Sequence, residues 1–212
     1  MSYRVQEIFP TLQGEGAQAG LSAVFLRFSG CNLWDGRPET RERSACTFCD
    51  TDFTSLSGAL AGEYPDARTL ASAVSGQWAG RGGVPHVVCT GGEPLLQLDA
   101  PLVAALKERG LRISVETNGT REVPSGIDWV CVSPKQGTRW IHRRGDELKI
   151  VWPQEFDLES LETLPFSQFF LQPKDHPDPG IRERNRALVV ETCRNNPAWR
   201  FSLQAHKALG IP

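Results

Sequence analysis

Residues 84–94 read VPHVVCTGGEP, an apolar run that ends in two glycines, a glutamate and a proline. The length and the valines of residues 84–90 predict a buried strand, and the glycines that follow predict its end. On both sides of this segment, strand-like runs alternate with helix-like runs. The alternation predicts an α/β fold whose strands are mainly parallel and are joined by right-handed crossovers.

The elements predicted around this strand follow the same pattern. Asp66 is expected to cap a helix that runs to about Trp78, and Asp99 a second helix that ends before Gly110. The other predicted strands are residues 5–9, 23–28, 111–117, 128–132, 147–152, 169–172 and 200–203. The other predicted helices are residues 158–164 and 180–194. No repeat or linker interrupts the series, so residues 1–212 are predicted to form a single domain.

The composition narrows the classes of protein to consider. With 23 Lys and Arg against 25 Asp and Glu, the net charge is −2, which argues against a nucleic-acid binder with its basic excess. The longest uninterrupted apolar run, residues 102–106, is far shorter than the roughly 20 residues of a membrane span. Residues 1–7 also lack the apolar core of a secretory signal. We therefore expect a cytoplasmic protein that binds neither nucleic acid nor membrane.

Three of the six cysteines lie in residues 29–57, a long loop without hydrophobic period. Cys31, Cys46 and Cys49 have the spacing C-x14-C-x2-C, whereas the other three lie in apolar strands or helices and are expected to be small buried hydrophobes. Thiols stay reduced in the cytoplasm, so the loop cysteines are thiols or metal ligands before they are disulfides. A loop of this length inside a compact domain is usually functional.

The number of cysteines in the loop favours one kind of metal centre. A structural zinc ion takes four ligands, and the loop contains no histidine to supply the fourth. An iron–sulfur cube held by three thiolates keeps one iron free for an external ligand. A zinc site completed by Asp50, Asp52 or a distant histidine is the alternative. The number of cysteines in the loop therefore favours an iron–sulfur cluster over a zinc site.

Polar stretches follow several of the predicted strands. They are residues 90–93, 116–119, 133–135 and 172–175. In parallel α/β sheets and barrels, functional sites lie at the carboxyl ends of the strands. We therefore expect these stretches to meet in one site.

The cysteines and the GGE motif together resemble those of the radical S-adenosylmethionine superfamily. In that superfamily three cysteines hold a [4Fe–4S] cluster, whose free iron binds S-adenosylmethionine (SAM), and a GGE-type motif holds the methionine ammonium. The usual spacing is C-x3-C-x2-C, so residues 32–43 are expected to be a polar excursion outside the core. The resemblance implies an abbreviated, partial (β/α) barrel with mainly parallel strands, fewer than eight βα units and an enlarged cluster-binding loop at about residues 29–57.

Segments spread along the whole chain resemble more narrowly the members of that superfamily that act on a pterin. They are residues 8–16, 25–33, 49–51, 90–94, 116–120, 133–135 and 204–207. The resemblance implies a carbon–nitrogen lyase that contracts the ring of 6-carboxy-5,6,7,8-tetrahydropterin to 7-carboxy-7-deazaguanine with loss of ammonia, in queuosine and 7-deazapurine biosynthesis. It also implies Mg²⁺ as a further cofactor, a flavodoxin-type reductant and a homodimer.

The resemblance also implies roles for individual residues. Cys31, Cys46 and Cys49 would hold the cluster, and Thr51 would bind Mg²⁺, with Asp50 as the alternative ligand. The residues implied to bind SAM are Phe48, Asp50, Gly92, Glu93, Ser133, Lys135, Gln172, Lys174 and Asp175. The residues implied to bind the pterin are Leu12, Gln13, Gly14, Glu15, Arg27, Thr90, Glu116, Asn118 and His206. No residue is expected to act as an acid or base, because the cofactor carries the chemistry.

Other interpretations stay open at this point. An activase that generates a glycyl radical on a partner protein would use the same cofactor, and a zinc-stabilised binding module would use the same cysteines. Arg27 has the opposite parity to the apolar residues of its strand, so it faces either solvent or the lumen of a barrel. Thr51 is also typical of a turn, Lys135 of a solvated loop, and His206 of a core or surface histidine.

Overall fold

A nine-stranded sheet packed against α-helices forms the protein, which a computed structural model describes over residues 2–212. The strands are β1 (Tyr3–Leu12), β2 (Ser22–Phe28), β3 (Gly62–Tyr64), β4 (His86–Gly91), β5 (Arg112–Thr117), β6 (Trp129–Val132), β7 (Gly145–Trp152), β8 (Phe166–Pro173) and β9 (Trp199–Phe201). The helices are α1 (Ala67–Ser75), α2 (Ala100–Glu108), α3 (Leu158–Glu162), α4 (Pro179–Asn195) and α5 (Ala205–Leu209). Short 3₁₀ helices cover Gly16–Gln18, Pro38–Arg43 and Pro94–Leu96.

The sheet has the mainly parallel arrangement that the sequence predicts. Its strands lie in the order β3-β1-β2-β4-β5-β6-β7-β8-β9. β1 pairs antiparallel with β2 and β3, whereas the pairings from β2–β4 through β8–β9 are parallel. Across residues 2–212 the edge strands β3 and β9 do not pair with each other, so the barrel is open. The predicted α/β fold with a partial barrel is confirmed.

Several boundaries differ from the predicted ones. β1 continues through Pro10 to Leu12, whereas the predicted strand ends at residue 9. Proline has no N–H to donate and is tolerated in strands near a sheet edge, and β3 pairs with β1 only over residues 3–5. β3 and α5 were not predicted at all, because three and five residues are too few to show a hydrophobic period.

Apolar side chains of the helices pack against the sheet in two buried clusters. Leu70, Val74 and Leu102 lie on α1 and α2 in a fully buried cluster with residues of β1, β2, β4 and β5. A second cluster joins Leu161 of α3 and Val189 of α4 to β6, β7 and β8. Burial of such side chains stabilises a fold by about 1.5–3 kcal/mol each. This packing fixes the positions of the strand ends. The sequence predicts the functional site at these ends.

The predicted caps of the first two helices are confirmed. The Asp66 carboxylate accepts a hydrogen bond from the backbone N–H of Thr69 at 2.8 Å, and Asp99 accepts one from Leu102 at 3.0 Å. Asp99 also accepts the hydroxyl of Tyr3 at 2.8 Å, which ties α2 to β1. Among the described residues, no helix combines the length and the apolarity needed to cross a bilayer.

Candidate active site

A cavity of about 490 Å³ opens at the carboxyl ends of the parallel strands. All the residues predicted to bind metal, cofactor or substrate line it, except Glu93 and Lys174. The lining residues among them are Leu12, Gln13, Gly14, Glu15, Arg27, Cys31, Cys46, Phe48, Cys49, Asp50, Thr51, Thr90, Gly92, Glu116, Asn118, Ser133, Lys135, Gln172, Asp175 and His206. The expectation that the four polar stretches meet in one site therefore agrees with the structure.

The three loop cysteines share one wall of this cavity. The thiols of Cys46 and Cys49 hydrogen-bond to each other, which lowers the pKa of Cys46 to about 6 and raises that of Cys49. Burial raises the pKa of the Cys31 thiol, whose sulfur accepts the backbone N–H of Leu33 at 3.4 Å. Within residues 2–212, no three His, Cys, Asp or Glu side chains converge closely enough to bind one metal ion.

The insertion between Cys31 and Cys46 packs more tightly than the expected polar excursion. Trp34 is only 7% exposed and meets Phe53, itself buried, edge to face at 5.6 Å. The Arg41 guanidinium lies over the Trp34 ring at 3.9 Å, and its Nη1 donates to the carbonyl of Cys49 at 2.9 Å. The insertion therefore has its own apolar centre, and Arg41 connects it to the cluster loop. The sequence expectation for residues 32–43 is corrected on this point.

The two glycines after β4 allow this strand to touch the cluster loop. A Cβ on Gly91, whose φ is +140°, would lie 2.3 Å from the carbonyl oxygen of Phe28. A Cβ on Gly92 would lie 2.2 Å from the carbonyl oxygen of Gly30 and 2.8 Å from Cβ of Cys31. Only glycine fits at either position without displacing the neighbouring backbone. The two glycines of the GGE motif are therefore needed for the close backbone contact that positions Cys31.

Glu93 lies behind the cavity wall and not on its surface. Its side chain is fully buried, and burial raises the pKa of its carboxyl group. One carboxylate oxygen accepts the Leu95 N–H at 2.9 Å and the Thr117 hydroxyl at 2.8 Å, and the other accepts the Asn118 N–H at 2.7 Å. Glu93 thus joins the end of β4 to the end of β5, and Gly92 lines the cavity at this point.

Arg27 points into the cavity, where the sequence left two orientations open. Its Nε donates to Oε1 of Glu7 at 2.6 Å, and both side chains are partly buried. Because Glu7 binds Nε, the two terminal nitrogens of the guanidinium can face a ligand as a fork. Sequence reasoning missed Glu7, since only the antiparallel register of β1 and β2 places it opposite Arg27.

The cavity floor contains a buried lysine that the sequence analysis did not identify. Lys149 of β7 is 4% exposed, and its Nζ lies 2.6 Å from Glu15 and 3.4 Å from Glu116. Burial alone would raise the pKa of Glu15, but the Lys149 ammonium holds it at about 2. Burial alone would lower the pKa of Lys149, but Glu116 and Glu15 hold it well above its usual range. The floor is therefore a compact set of charged hydrogen-bonding groups.

Part of the rim is closed by the C-terminal segment. Lys207 of α5 donates to Asp50 at 2.6 Å and to Asp175 at 2.5 Å, so it bridges the cluster loop and the end of β8. The ring of His206 packs against Gly14, where a Cβ would lie 2.3 Å from Nδ1. The sequence analysis did not identify Lys207. Its ammonium binds the carboxylate of Asp50, which is the alternative Mg²⁺ ligand named above.

The side chains implied to bind SAM lie in the cavity wall or against the cluster loop. Lys135 donates to the carbonyl and the hydroxyl of Ser133 at 2.5 and 3.0 Å, and burial lowers the pKa of its ammonium. The Lys174 ammonium lies 4.5 Å from the centre of the Phe48 ring, so Lys174 contacts the cluster loop although it does not line the cavity. Gln172 is buried between Glu15 and Ser202.

Comparisons with known proteins identify the family. A model of the radical SAM superfamily matches residues 42–145, which contain Cys46, Cys49 and the GGE motif. The chain is 53% identical to the 7-carboxy-7-deazaguanine synthase of Caulobacter vibrioides and 52% identical to that of Bradyrhizobium diazoefficiens, each over the full length of both proteins. It also matches the crystal structure of QueE from Escherichia coli with a TM-score of 0.68 and 29% identity, covering 97% of this chain and 95% of that one. The chain therefore belongs to the family of 7-carboxy-7-deazaguanine synthases, within the radical S-adenosylmethionine superfamily.

Proposed function

We propose that the protein converts 6-carboxy-5,6,7,8-tetrahydropterin to 7-carboxy-7-deazaguanine and ammonia, as a radical SAM lyase. The observation that carries the proposal is one cavity that joins three thiols to a partly buried arginine and a charged floor. The full-length identity to relatives of that name favours this function over a glycyl-radical activase or a zinc-stabilised module. Anaerobic incubation with the pterin, SAM and a reductant tests it, with the product identified by mass.

The donor set of the cavity suits a [4Fe–4S] cluster and SAM. Cys31, Cys46 and Cys49 would hold three irons, which leaves the fourth for SAM. When bound and reduced, this pair supplies the radical that starts the rearrangement. Gly92 offers close backbone approach for the methionine portion of SAM, and Lys135 offers an ammonium for a carboxylate or a ribose oxygen. Gln172 and Asp175 lie at the end of β8, where they would meet the nucleoside.

Other residues that line the cavity suit a flat, carboxylated ring. Arg27 would pair with the substrate carboxylate through its free terminal nitrogens. Gln13 and Thr90, which both donate hydrogen bonds to the Glu116 carboxylate, would meet the polar edge of the pterin together with Glu116. The backbone of Leu12 and Gly14, with Asn118 and His206, would complete the enclosure. The protein would then position the substrate, supply charged groups around it and exclude water from the cavity.

We expect Thr51→Ala to lower the turnover rate and to shift the Mg²⁺ dependence to higher concentration. Thr51 lines the cavity beside Cys49, so its hydroxyl can complete the oxygen ligands of an ion that also binds the substrate. Asp50 is held by Lys207, which favours Thr51 as the protein ligand. The measurement is the rate as a function of Mg²⁺ concentration after treatment with EDTA.

Thr51→Ser keeps the hydroxyl and is the matched control, expected to behave like the wild type. Iron content and SAM binding should stay unchanged in both variants. Full activity of the EDTA-treated wild type, or the same Mg²⁺ titration in Thr51→Ala and wild type, would remove Thr51 from the metal site.

Four further proposals concern the domain organisation, the oligomeric state, the reductant and the location of the protein. We propose one radical SAM core domain over residues 1–212, supported by the continuous sheet, with the cluster loop at about residues 29–57. We also propose a homodimer and a flavodoxin-type reductant, as family membership suggests. A cytoplasmic location suits the three loop cysteines, because cluster ligands must stay reduced. Light scattering of the purified protein tests the dimer.

A further inference from the structure

The ammonium of Lys207 lies between two carboxylates that belong to different parts of the chain. Its Nζ donates to Oδ2 of Asp50 at 2.6 Å and to Oδ2 of Asp175 at 2.5 Å. Asp50 directly follows Cys49 in the cluster loop, and Asp175 follows the end of β8. Two carboxylates that share one nitrogen are close enough to repel each other when the charge of that nitrogen is removed. Lys207 therefore holds the two segments together against the repulsion of their own charges.

Lys207 is the only side chain within residues 2–212 that forms a salt bridge with either carboxylate. The ammonium of Lys174, the neighbour of Asp175 in sequence, lies over the Phe48 ring at 4.5 Å and not against a carboxylate. The side chains of Lys207, Asp50 and Asp175 are 40%, 43% and 25% exposed, so water screens the bridge only in part. Loss of Lys207 would leave the bridge without a replacement cation.

The helix that carries Lys207 is itself fixed to the opposite part of the cavity wall. The backbone N–H of Ala205 donates to the carbonyl of Gly14 at 2.8 Å, and the side-chain amide of Gln204 donates to Oε1 of Glu15 at 2.9 Å. The five residues of α5 are too few to form a stable helix without such contacts. Lys207 therefore extends from an anchored helix toward the cluster loop and β8.

We propose that Lys207 is a positioning residue for the cofactor, which holds the cluster loop and the end of β8 together so that SAM can bind between them. This inference rests on the proposed function, in which Asp50 and Asp175 belong to the residues that bind SAM. Within residues 2–212, Oδ1 of Asp50 has no hydrogen-bond donor, so it is available to a ligand while Oδ2 is held by Lys207. Lys207 acts on the cofactor through these two aspartates.

The first test is the affinity of the anaerobically reconstituted protein for SAM, measured by calorimetry without the pterin. Lys207→Met keeps the length of the side chain and removes its charge. We expect it to weaken SAM binding about fivefold, which corresponds to the upper end of what partly exposed ion pairs contribute. Lys207→Arg should restore the wild-type affinity, because a guanidinium can also bind two carboxylates. Iron content should be unchanged in both variants.

Lys107→Met is the matched control, because Lys107 forms an ion pair with Asp128 outside the cavity. It should bind SAM like wild type. An affinity of Lys207→Met equal to that of Lys107→Met would overturn the inference. Equal weakening in Lys207→Arg and Lys207→Met would overturn it as well, since the charge would then not be what matters.

Hydrogen exchange of the reconstituted protein without SAM tests the same inference independently of any ligand. We expect the backbone amides of residues 205–211 to exchange faster in Lys207→Met than in wild type and Lys207→Arg, because the bridge limits local opening of this segment. Equal exchange in Lys207→Met and wild type would contradict the inference. If the wild-type protein does not bind SAM, the proposed function fails, and the exchange rates still decide whether Lys207 holds the rim together.

Discussion

Replacing Cys31, Cys46 or Cys49 by alanine is expected to abolish both cluster binding and turnover. Three thiolates are the smallest set that holds a [4Fe–4S] cluster with one iron left for SAM, so none can be spared. The three sulfurs line one cavity wall. The measurement is iron and sulfide per chain after anaerobic reconstitution, together with visible absorption and turnover.

Cys89→Ala is the matched control for these variants. Cys89 is fully buried in β4, and burial raises the pKa of its thiol to about 12. Its loss should cost about 1 kcal/mol of stability through packing and leave the iron content unchanged. Full iron content and turnover in any one of the three loop-cysteine variants would contradict the cluster assignment.

Arg27→Ala is expected to lower affinity for the pterin by about a hundredfold or more while leaving SAM binding intact. Removing one partner of a buried charge pair costs on the order of 3–5 kcal/mol, and about 1.4 kcal/mol corresponds to a factor of ten. The Arg27 side chain is 19% exposed and is held by Glu7, so both Glu7 and the substrate carboxylate would lose their counter-charge. Calorimetry on the holoenzyme gives both affinities.

Arg4→Ala provides the comparison for Arg27→Ala. Arg4 lies on the neighbouring strand β1, and its ion pair with Glu63 is exposed to solvent. Exposed pairs contribute about 0–1 kcal/mol, so this variant should bind the pterin like wild type. An Arg27→Ala protein that binds the pterin as tightly as Arg4→Ala would show that Arg27 does not hold the carboxylate.

The location of the site could be predicted from sequence because parallel strands end at one edge. Cys31 follows β2, Thr90 lies at the end of β4, and Ser133 and Gln172 lie at the ends of β6 and β8. Once the strands were recognised as parallel, these residues had to converge. The fold class depended on the same alternation of strands and helices, and so it was predictable for the same reason.

The partners of the site residues could not be predicted in the same way. Glu7 and Lys207 reach Arg27 and Asp50 only through strand register and the position of the C-terminal helix. Lys149 did leave a signal, because Leu148 and Ile150 are buried core residues and a charge between them faces the lumen of the barrel. Successive residues of a barrel strand therefore face opposite sides, as they do in an open sheet, and in a barrel one of these sides is the lumen.

Glu93 of the GGE motif has a structural role in the wall of the cavity. Its three hydrogen bonds within the wall connect β4 to β5, a role that no spacing in the sequence indicates. Trp34 is a similar case, since it lies in a stretch without hydrophobic period and only the folded insertion brings it to Phe53. Local sequence patterns do not report contacts between segments that are distant in sequence.

The central claim is that this cavity contracts the ring of a carboxylated pterin with loss of ammonia. The most direct test is an anaerobic reaction of the reconstituted protein with 6-carboxy-5,6,7,8-tetrahydropterin, SAM, Mg²⁺ and a reductant. Mass spectrometry and an ammonia assay are applied to the same samples. We predict 7-carboxy-7-deazaguanine and ammonia in equal amounts, and neither when SAM is omitted or Cys46 is replaced by alanine. Cleavage of SAM without either product, in a protein with full cluster content, would contradict the account.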